Sequence, residues 1–419
     1  MRSSWNALAA AALAACVGIG AQSALAQGAA SQGPGPGQGP GQAGKPVKIG
    51  VLVDEQGFAS DIGGTGATLA ARMAVEDFGA SVLGRPIQVI SADMQNKPDI
   101  ASNIVRQWFD LDGVDMVTDI PVSSVALAVQ SVAREKKKVL MISAATTTEL
   151  TNAQCSPYSI HWADDTNALS VGTTKAVVEA GGKSWFFITA DFAFGTAMEK
   201  AATEAIRQAG GTVVGGVKHP IGTSDFGSYL LTAQGSGAKV VALANVGADT
   251  ITAIKQASEF GLPAGGQKLV GYIVFITDVH SLGLDLAQGL YVTEGFYWDQ
   301  NDRTRDWSKR FLARHGKMPS KEQANTYLAT LHWLKAVKEA GTTDAEAVTA
   351  KMKAMPTDYF GTPGSIRKDG RVLYDLTLYQ VKGKAESKGA WDYYTPIRTI
   401  PSNEAFLPLE TSACPFVKG

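Results

Sequence analysis

The chain has 419 residues, with 38 basic and 39 acidic side chains and a formal net charge of −1. That balance argues against nucleic acid or an anionic membrane surface as the main partner, since both favour an excess of Lys and Arg. Beyond its first 46 residues the chain is too long for one ordinary core and favours two domains.

Arg2 is the only charge before Lys45, and Ala7 to Ala21 is small and apolar. Ala24-Leu25-Ala26 then fits a small-x-small cleavage site, so residues 1–26 read as an export signal cut after Ala26. A rival lies inside it: Leu13-Ala14-Ala15-Cys16 fits a lipoprotein box that would leave a lipidated Cys16 as the first residue. The apolar run continues past Cys16 to the second site, which favours free release into the periplasm. Losing residues 1–26 removes Arg2 and no acid, for a charge of −2. Residues 27–46 are nearly all Gly, Pro, Gln, Ala and Ser, the composition of a disordered leader. Two cysteines then remain, Cys155 and Cys414, and an isolated pair in an oxidising compartment reads as one disulfide. No later stretch approaches the roughly 20 apolar residues of a membrane span.

From Val47 the pattern alternates strand and helix. Strands are predicted at Val47–Val53, Ile87–Ser91, Val114–Asp119 and Val139–Ser143, with helices at Gly66–Ala80, Pro98–Leu111 and Val122–Glu135. After Ser159-Ile160-His161-Trp162 a second run follows. Its helices are Ala168–Ala180, Thr196–Ala209, Phe226–Gly235 and Asp249–Phe260; its strands are Trp185–Thr189, Thr212–His219, Val240–Ala244 and Lys268–Phe275. Leu290–Tyr297 is strand-like, Ser320–Ala340 is a long helix, Thr377–Val381 is a late strand, and Ala385–Gly419 reads as an irregular tail. Such βαβ repetition builds parallel, doubly wound sheets. The fold class is therefore α/β, with two Rossmann-like lobes and a cleft between them.

Ligands of such sheets bind at the carboxyl ends of the strands. One stretch there stands out: Val139 to Ile142 runs directly into Ser143-Ala144-Ala145-Thr146-Thr147-Thr148. About 20 residues earlier, Asp119-Ile120-Pro121-Val122-Ser123-Ser124 follows the same order of strand, turn and hydroxyls. Free amides and hydroxyls at neighbouring strand ends suit an anionic oxygen, although Ser and Thr are also common helix caps.

Taken in order, Lys48-Ile49-Gly50-Val51, Gly63 and Gly66, Val122-Ser123-Ser124, Met141 to Thr146, Glu149-Leu150-Thr151, Phe194-Gly195, Asp225-Phe226, Gln288 to Val292 and Gly361 resemble the type I periplasmic solute-binding proteins. The resemblance is to the leucine/isoleucine/valine-binding family that serves ABC importers, and it runs from Val47 to Val381. It implies two lobes joined by a three-segment hinge, with residues 47–161 and 294–374 in the first and 162–293 and 375–419 in the second. It further implies a ligand carboxylate held by Ser123, Ala144 and Thr146, with Ser124 and Ala145 beside them, and Phe194 closing over it in place of the family's usual tyrosine. The implied partners are a small-molecule carboxylate and permease subunits; a monomer with no cofactor and no nucleic acid is expected.

Two departures from the family's amino-acid binders bear on the ligand. No acid follows Leu269-Val270-Gly271-Tyr272, where those proteins hold the ligand ammonium, and a second family tyrosine is replaced by Val246. A buried ammonium without a counter-charge is penalised by several kcal/mol. The expected wall, Phe194, Val246, Ile273, Phe275 and Trp162, with Asn245 at a strand end, then suits an aromatic or aliphatic acid without an amino group. The alternatives are a branched-chain amino acid or amide binder, or an exported receptor for a sensor kinase.

Catalytic readings fail on the residues. Leu69 stands where a dinucleotide fingerprint needs its third glycine, and Val177 where a P-loop before Gly182-Lys183-Ser184 needs its first. The five histidines are scattered without metal-ligand spacing, and Gly222 to Phe226 lacks the last glycine of a nucleophile elbow. The reading is a binding protein and not an enzyme.

Overall fold

The computed structural model describes residues 44–417. The expected export signal, and all but the last three residues of the expected leader, lie outside them. The first run comprises β1 (Val47–Val53), α1 (Gly64–Phe78), β2 (Ser81–Val82), β3 (Arg85–Asp93), α2 (Pro98–Gln107), β4 (Met116–Asp119), α3 (Ser123–Glu135), β5 (Val139–Ile142) and β6 (Ser159–His161). These strands form one sheet in the order β2-β3-β1-β4-β5-β6, parallel except where β2 pairs with β3. Apolar residues fill β1, β4 and β5 because helices cover both faces of a parallel sheet. The chain leaves β1 towards β3 and returns to β4 on its other side. The order of strands therefore reverses between β1 and β4, which opens a crevice at their carboxyl ends.

The second run is α4 (Thr166–Glu179), β7 (Ser184–Ala190), α5 (Ala193–Gln208), β8 (Thr212–His219), α6 (Gly227–Gly235), β9 (Val240–Ala244), α7 (Ala248–Glu259) and β10 (Lys268–Gly271). Its parallel sheet runs β10-β9-β7-β8, with the reversal between β7 and β9. The architecture is thus α/β with two doubly wound lobes. One expected strand is corrected: β10 stops at Gly271, where its pairing with β9 ends at Leu243. Tyr272 to Phe275 instead form a strand-end turn leading into α8 (Ile276–Leu282).

After α9 (Leu284–Ala287) and β11 (Tyr291–Glu294) come α10 (Asp302–His315), α11 (Lys321–Ala340), α12 (Ala345–Ala354), β12 (Thr357–Tyr359), β13 (Thr362–Ile366), β14 (Val372–Leu373), β15 (Leu376–Val381), β16 (Tyr394–Ile400) and α13 (Ser402–Ala405). The irregular tail is a second correction. Its β16 pairs with β15 in a sheet with β11, and Phe406 packs against Tyr374 at 5.8 Å between ring centroids. α11 is buried along most of its length and fixed at its start by a capping box. The Gln323 amide N–H donates to Ser320 Oγ, and the Ser320 N–H donates to Gln323 Oε1 at 3.0 Å.

Cys155 and Cys414 form the expected disulfide, with Cα atoms 5.6 Å apart and both sulfurs buried. Beside it the Ala413 N–H donates to Asn152 Oδ1 at 2.6 Å and the Ser412 hydroxyl to the Thr151 carbonyl at 3.2 Å. The C-terminal segment is thereby stapled just after the turn that follows β5. The bond spans 259 positions. Chain entropy assigns such a loop about 5 kcal/mol at most. A Cys155→Ser/Cys414→Ser double variant should melt several degrees lower, with limited proteolysis starting beyond Ile400. An unchanged melting temperature would contradict this account.

His332 gives a pH-dependent term. Its ring packs 5.3 Å from Trp162 and its Nε2 lies 3.1 Å from the Met352 carbonyl. Burial holds its pKa down to about 4, against the partial compensation of that carbonyl. The unfolded chain takes up the proton near pH 6.5 and the native state does not, so this contribution is fully present above about pH 6.5 and lost as pH falls towards 4. The penalty reaches on the order of 3 kcal/mol. Denaturant titrations of His332→Gln against the parent chain should show a smaller acid loss between those limits; parallel curves would refute it.

Candidate ligand-binding site

A narrow cavity of about 20 Å³, closed down to roughly the space of a water molecule, is lined by strand-end turns of both sheets. From the first sheet come Pro121 and Ser123 after β4, Ala144 and Thr146 after β5, and Phe58, Ala59 and Ile62 after β1. The second sheet supplies Phe192 and Phe194 after β7, Val246 after β9, and Ile273 and Phe275 after β10. Glu322, in the first turn of α11, completes the lining. Larger clefts are lined by other residues: Trp162, Arg303 and His332 in one, Asn167 and Glu204 in a second, Ile254 and Tyr291 in a third.

The first wall is tightly specified. Asp119 and Ile120 sit at φ 74° and 63°, the left-handed region that a β-branched residue rarely adopts. The turn is held by the Asp119 N–H donating to Ser143 Oγ at 3.2 Å and the Ile120 N–H to the Leu52 carbonyl at 3.1 Å. It aims Ser123 into the cavity at the start of α3, whose N-cap residue is Val122. Valine offers no side-chain acceptor, so the first-turn amides stay available to an anion. In the next turn two hydroxyls have structural roles. Ser143 Oγ bonds Thr326 Oγ1 at 2.8 Å, and Thr147 Oγ1 accepts from the Glu149 N–H at 3.4 Å. Among the described residues the Ser123 and Thr146 hydroxyls have no such partner, and both residues line the cavity.

The loop after β1 is folded by one carboxylate. Asp54 accepts from the Gly57 and Ala59 N–H groups at 2.7 and 2.9 Å and from Asn96 Nδ2 at 2.7 Å. It presents Phe58, which meets Phe192 edge-on at 6.1 Å between centroids; Phe192 in turn lies 5.6 Å from Phe194. Gly247, at φ 63°, lies under the same loop: a Cβ there would come 2.3 Å from the Phe58 carbonyl oxygen. The two lobes touch across the cavity through backbone that leaves no room for a side chain.

Glu322 is the one ionisable residue in the lining, and it is buried. Its Oε1 has no hydrogen-bond partner, while Oε2 accepts from Asn325 Nδ2 at 3.4 Å. Burial raises its pKa well above the ordinary value; Lys321 opposes this, and Asp164, Glu294 and Asp119 add to it. Asp119 is also buried, with neither oxygen partnered. The nearby Thr326 hydroxyl is already donated to the Glu322 carbonyl at 3.0 Å. Burial, then Asp54, raises the Asp119 pKa.

The cavity thus brings together seven of the expected site residues: Ser123, Ala144, Thr146, Phe194, Val246, Ile273 and Phe275. Four are placed elsewhere. Ser124 follows Ser123 on α3 and is not part of the lining. Ala145 is buried and receives His161 Nε2 on its carbonyl at 2.6 Å. Trp162 packs in the first lobe's core against His332. Asn245 is held by His219 Nε2 at 3.2 Å and by the Thr250 hydroxyl at 2.7 Å. The sequence reading missed Phe58, Ala59, Ile62, Pro121, Phe192 and Glu322. All but Glu322 follow from the strand order, since the loops after β1, β4 and β7 flank the two reversal points; Glu322 carries no local signal.

This architecture agrees with a family comparison in which residues 46–389 match the model of the periplasmic binding proteins. The chain belongs to that family. A crystal structure of a periplasmic binding protein from Burkholderia mallei is 46% identical with a TM-score of 0.87, covering 88% of this chain and 99% of that one. A branched chain amino acid ABC transporter periplasmic ligand-binding protein from Burkholderia xenovorans is 40% identical with a TM-score of 0.79, over 88% and 100% of the two chains. Leu/Ile/Val-binding protein homolog 6 of Brucella melitensis is 25% identical over 252 residues, 59% of this chain; the match spans 63% of that relative's length.

If the free hydroxyls hold a ligand carboxylate, removing them should abolish binding and spare the fold. Each lost hydrogen bond to a charged oxygen costs about 1.5–3 kcal/mol. A Ser123→Ala/Thr146→Val variant should therefore bind benzoate, or whichever carboxylate the parent chain binds, at least about a hundredfold more weakly by calorimetry. Unchanged affinity would place the site elsewhere.

Proposed function

We propose that this protein is the exported substrate-capturing component of an ABC importer, and that it takes a small carboxylate with an aromatic or aliphatic body and no amino group. One observation carries the reading: a cavity with two unspent hydroxyls and free helix amides on one wall, facing Phe58, Phe192, Phe194, Val246, Ile273 and Phe275 on the others. Donors without a cation suit a carboxylate, and the rings suit an apolar body. In this reading residues 47–161 and 294–374 bind the carboxylate first. Residues 162–293 and 375–419 then rotate about the hinge to bring their rings over the ligand and exclude water.

A second reading, a free α-amino acid, is favoured by the unpartnered Glu322 oxygen and by what the Burkholderia xenovorans relative is called. Matched pairs separate the two: 4-methylpentanoate against leucine, and 3-phenylpropanoate against phenylalanine, with benzoate added. Ligand at 100 times its dissociation constant should add about 2.7 kcal/mol of stability. The deaminated acids should raise the melting temperature and the amino acids should not. Submicromolar binding of leucine or phenylalanine, with no response to their deaminated partners, would overturn the proposal.

A further inference from the structure

Glu322 is the feature of the cavity that the carboxylate reading leaves unused. It lies next to the anion wall: its carbonyl accepts from Thr326 Oγ1 at 3.0 Å, and that hydroxyl bonds Ser143 Oγ at 2.8 Å, one residue before Ala144. Its Oε1 is buried in the lining and unpartnered. The adjacent ammonium does not neutralise it. Lys321 Nζ lies 3.4 Å from both Asp164 Oδ2 and Glu294 Oε2 and donates to the Thr293 carbonyl at 3.2 Å. An ionised Glu322 would set one anion against another in a water-poor site, where their repulsion is poorly screened.

We propose that Glu322 is a specificity-determining residue that stays a neutral carboxylic acid and donates its proton in a hydrogen bond to the ligand carboxylate. This rests on the carboxylate reading. The proton remains on Glu322, shared with one ligand oxygen, and no other group need change charge. Burial weighs most on its titration, followed by Lys321 beside it, Asp164 beyond β6, Glu294 on β11 and Asp119 on β4. Three of these four charged groups are acids that hinder ionisation, in line with the raised proton affinity. The device would explain discrimination without a lobe-two acid. A neutral donor welcomes a carboxylate, whereas an ammonium brought to the same spot meets a proton instead of a charge.

Isothermal calorimetry with benzoate and 3-phenylpropanoate between pH 6 and 9.5 tests this on the whole chain. Affinity should be flat near neutrality and fall towards tenfold per pH unit once free Glu322 ionises, with proton uptake visible as a buffer-dependent heat. Glu322→Gln keeps a donor amide, so it should bind within about threefold of the parent at pH 7 and lose the alkaline weakening; Glu322→Ala should bind at least tenfold more weakly. A Glu322→Gln variant that melts normally and loses more than about thirtyfold at pH 7 would overturn the proposal, because an anionic Glu322 would then be required. Identical pH profiles for parent and variant would overturn it too. Should only amino acids bind, the carboxylate reading itself fails. Glu322 protonation is still read independently in ligand-free protein, as a carboxylic-acid carbonyl band in the infrared that Glu322→Gln removes; absence of that band overturns the inference alone.

Discussion

Lys321 is the interaction on which the rest of the structure depends. Its ammonium is fully buried at the start of α11, 3.4 Å from Asp164 Oδ2 at the exit of the first sheet and 3.4 Å from Glu294 Oε2 on the strand that returns from the second. It also lies 5.5 Å from the centre of the Phe275 ring, in the cavity wall. One cation therefore ties the first lobe's central helix, a chain crossing and a ligand-facing turn to a common point. Such a group is stable only while paired; removing one partner of a buried ion pair costs about 3–5 kcal/mol. Burial pushes Glu294 up to about 8, with Lys321 pulling the other way. The first turn of α11 is thus set by electrostatics and by the Ser320 capping box, and Glu322 reaches the cavity only because that turn is fixed.

The chemistry of the cavity follows from strand order. Each sheet reverses direction once, between β1 and β4 and between β7 and β9, and the turns at those reversals supply most of the lining. In the first sheet the turns carry hydroxyls and amides held by a strained backbone at Asp119 and Ile120. In the second they carry rings, to which the first sheet adds Phe58 from the loop after β1. This division suits the proposed hinge closure, with orientation set on one side and most of the apolar cover on the other.

Much of this was legible in the sequence because period and punctuation were strong. β1, β8 and β9 fall on their predicted residues, and the hydroxyl-rich turns after β4 and β5 lie where the alternation puts them. Predictions went astray where tertiary contacts overrule local pattern. Lys268 to Phe275 is one apolar run, yet its pairing ends at Gly271, and the remainder becomes the turn that carries Ile273 and Phe275. The Pro-rich tail conceals β16 because its strand is stabilised by β15, more than ten residues upstream, and by the disulfide to Cys155. Glu322 was invisible for the same reason: an acid in a helix's first turn usually faces water and the dipole, and only the packing of α11 turns this one inward.

The central claim is that the hydroxyl-bearing turns of the first lobe, and not the second lobe, orient the ligand. A crystal structure of the protein saturated with benzoate tests it most directly. The account predicts carboxylate oxygens about 3 Å from the Ser123 and Thr146 hydroxyls, with the ring against Phe194, Val246 and Phe275. A carboxylate pointing at the second lobe, or a ligand bound outside this cavity, would contradict it.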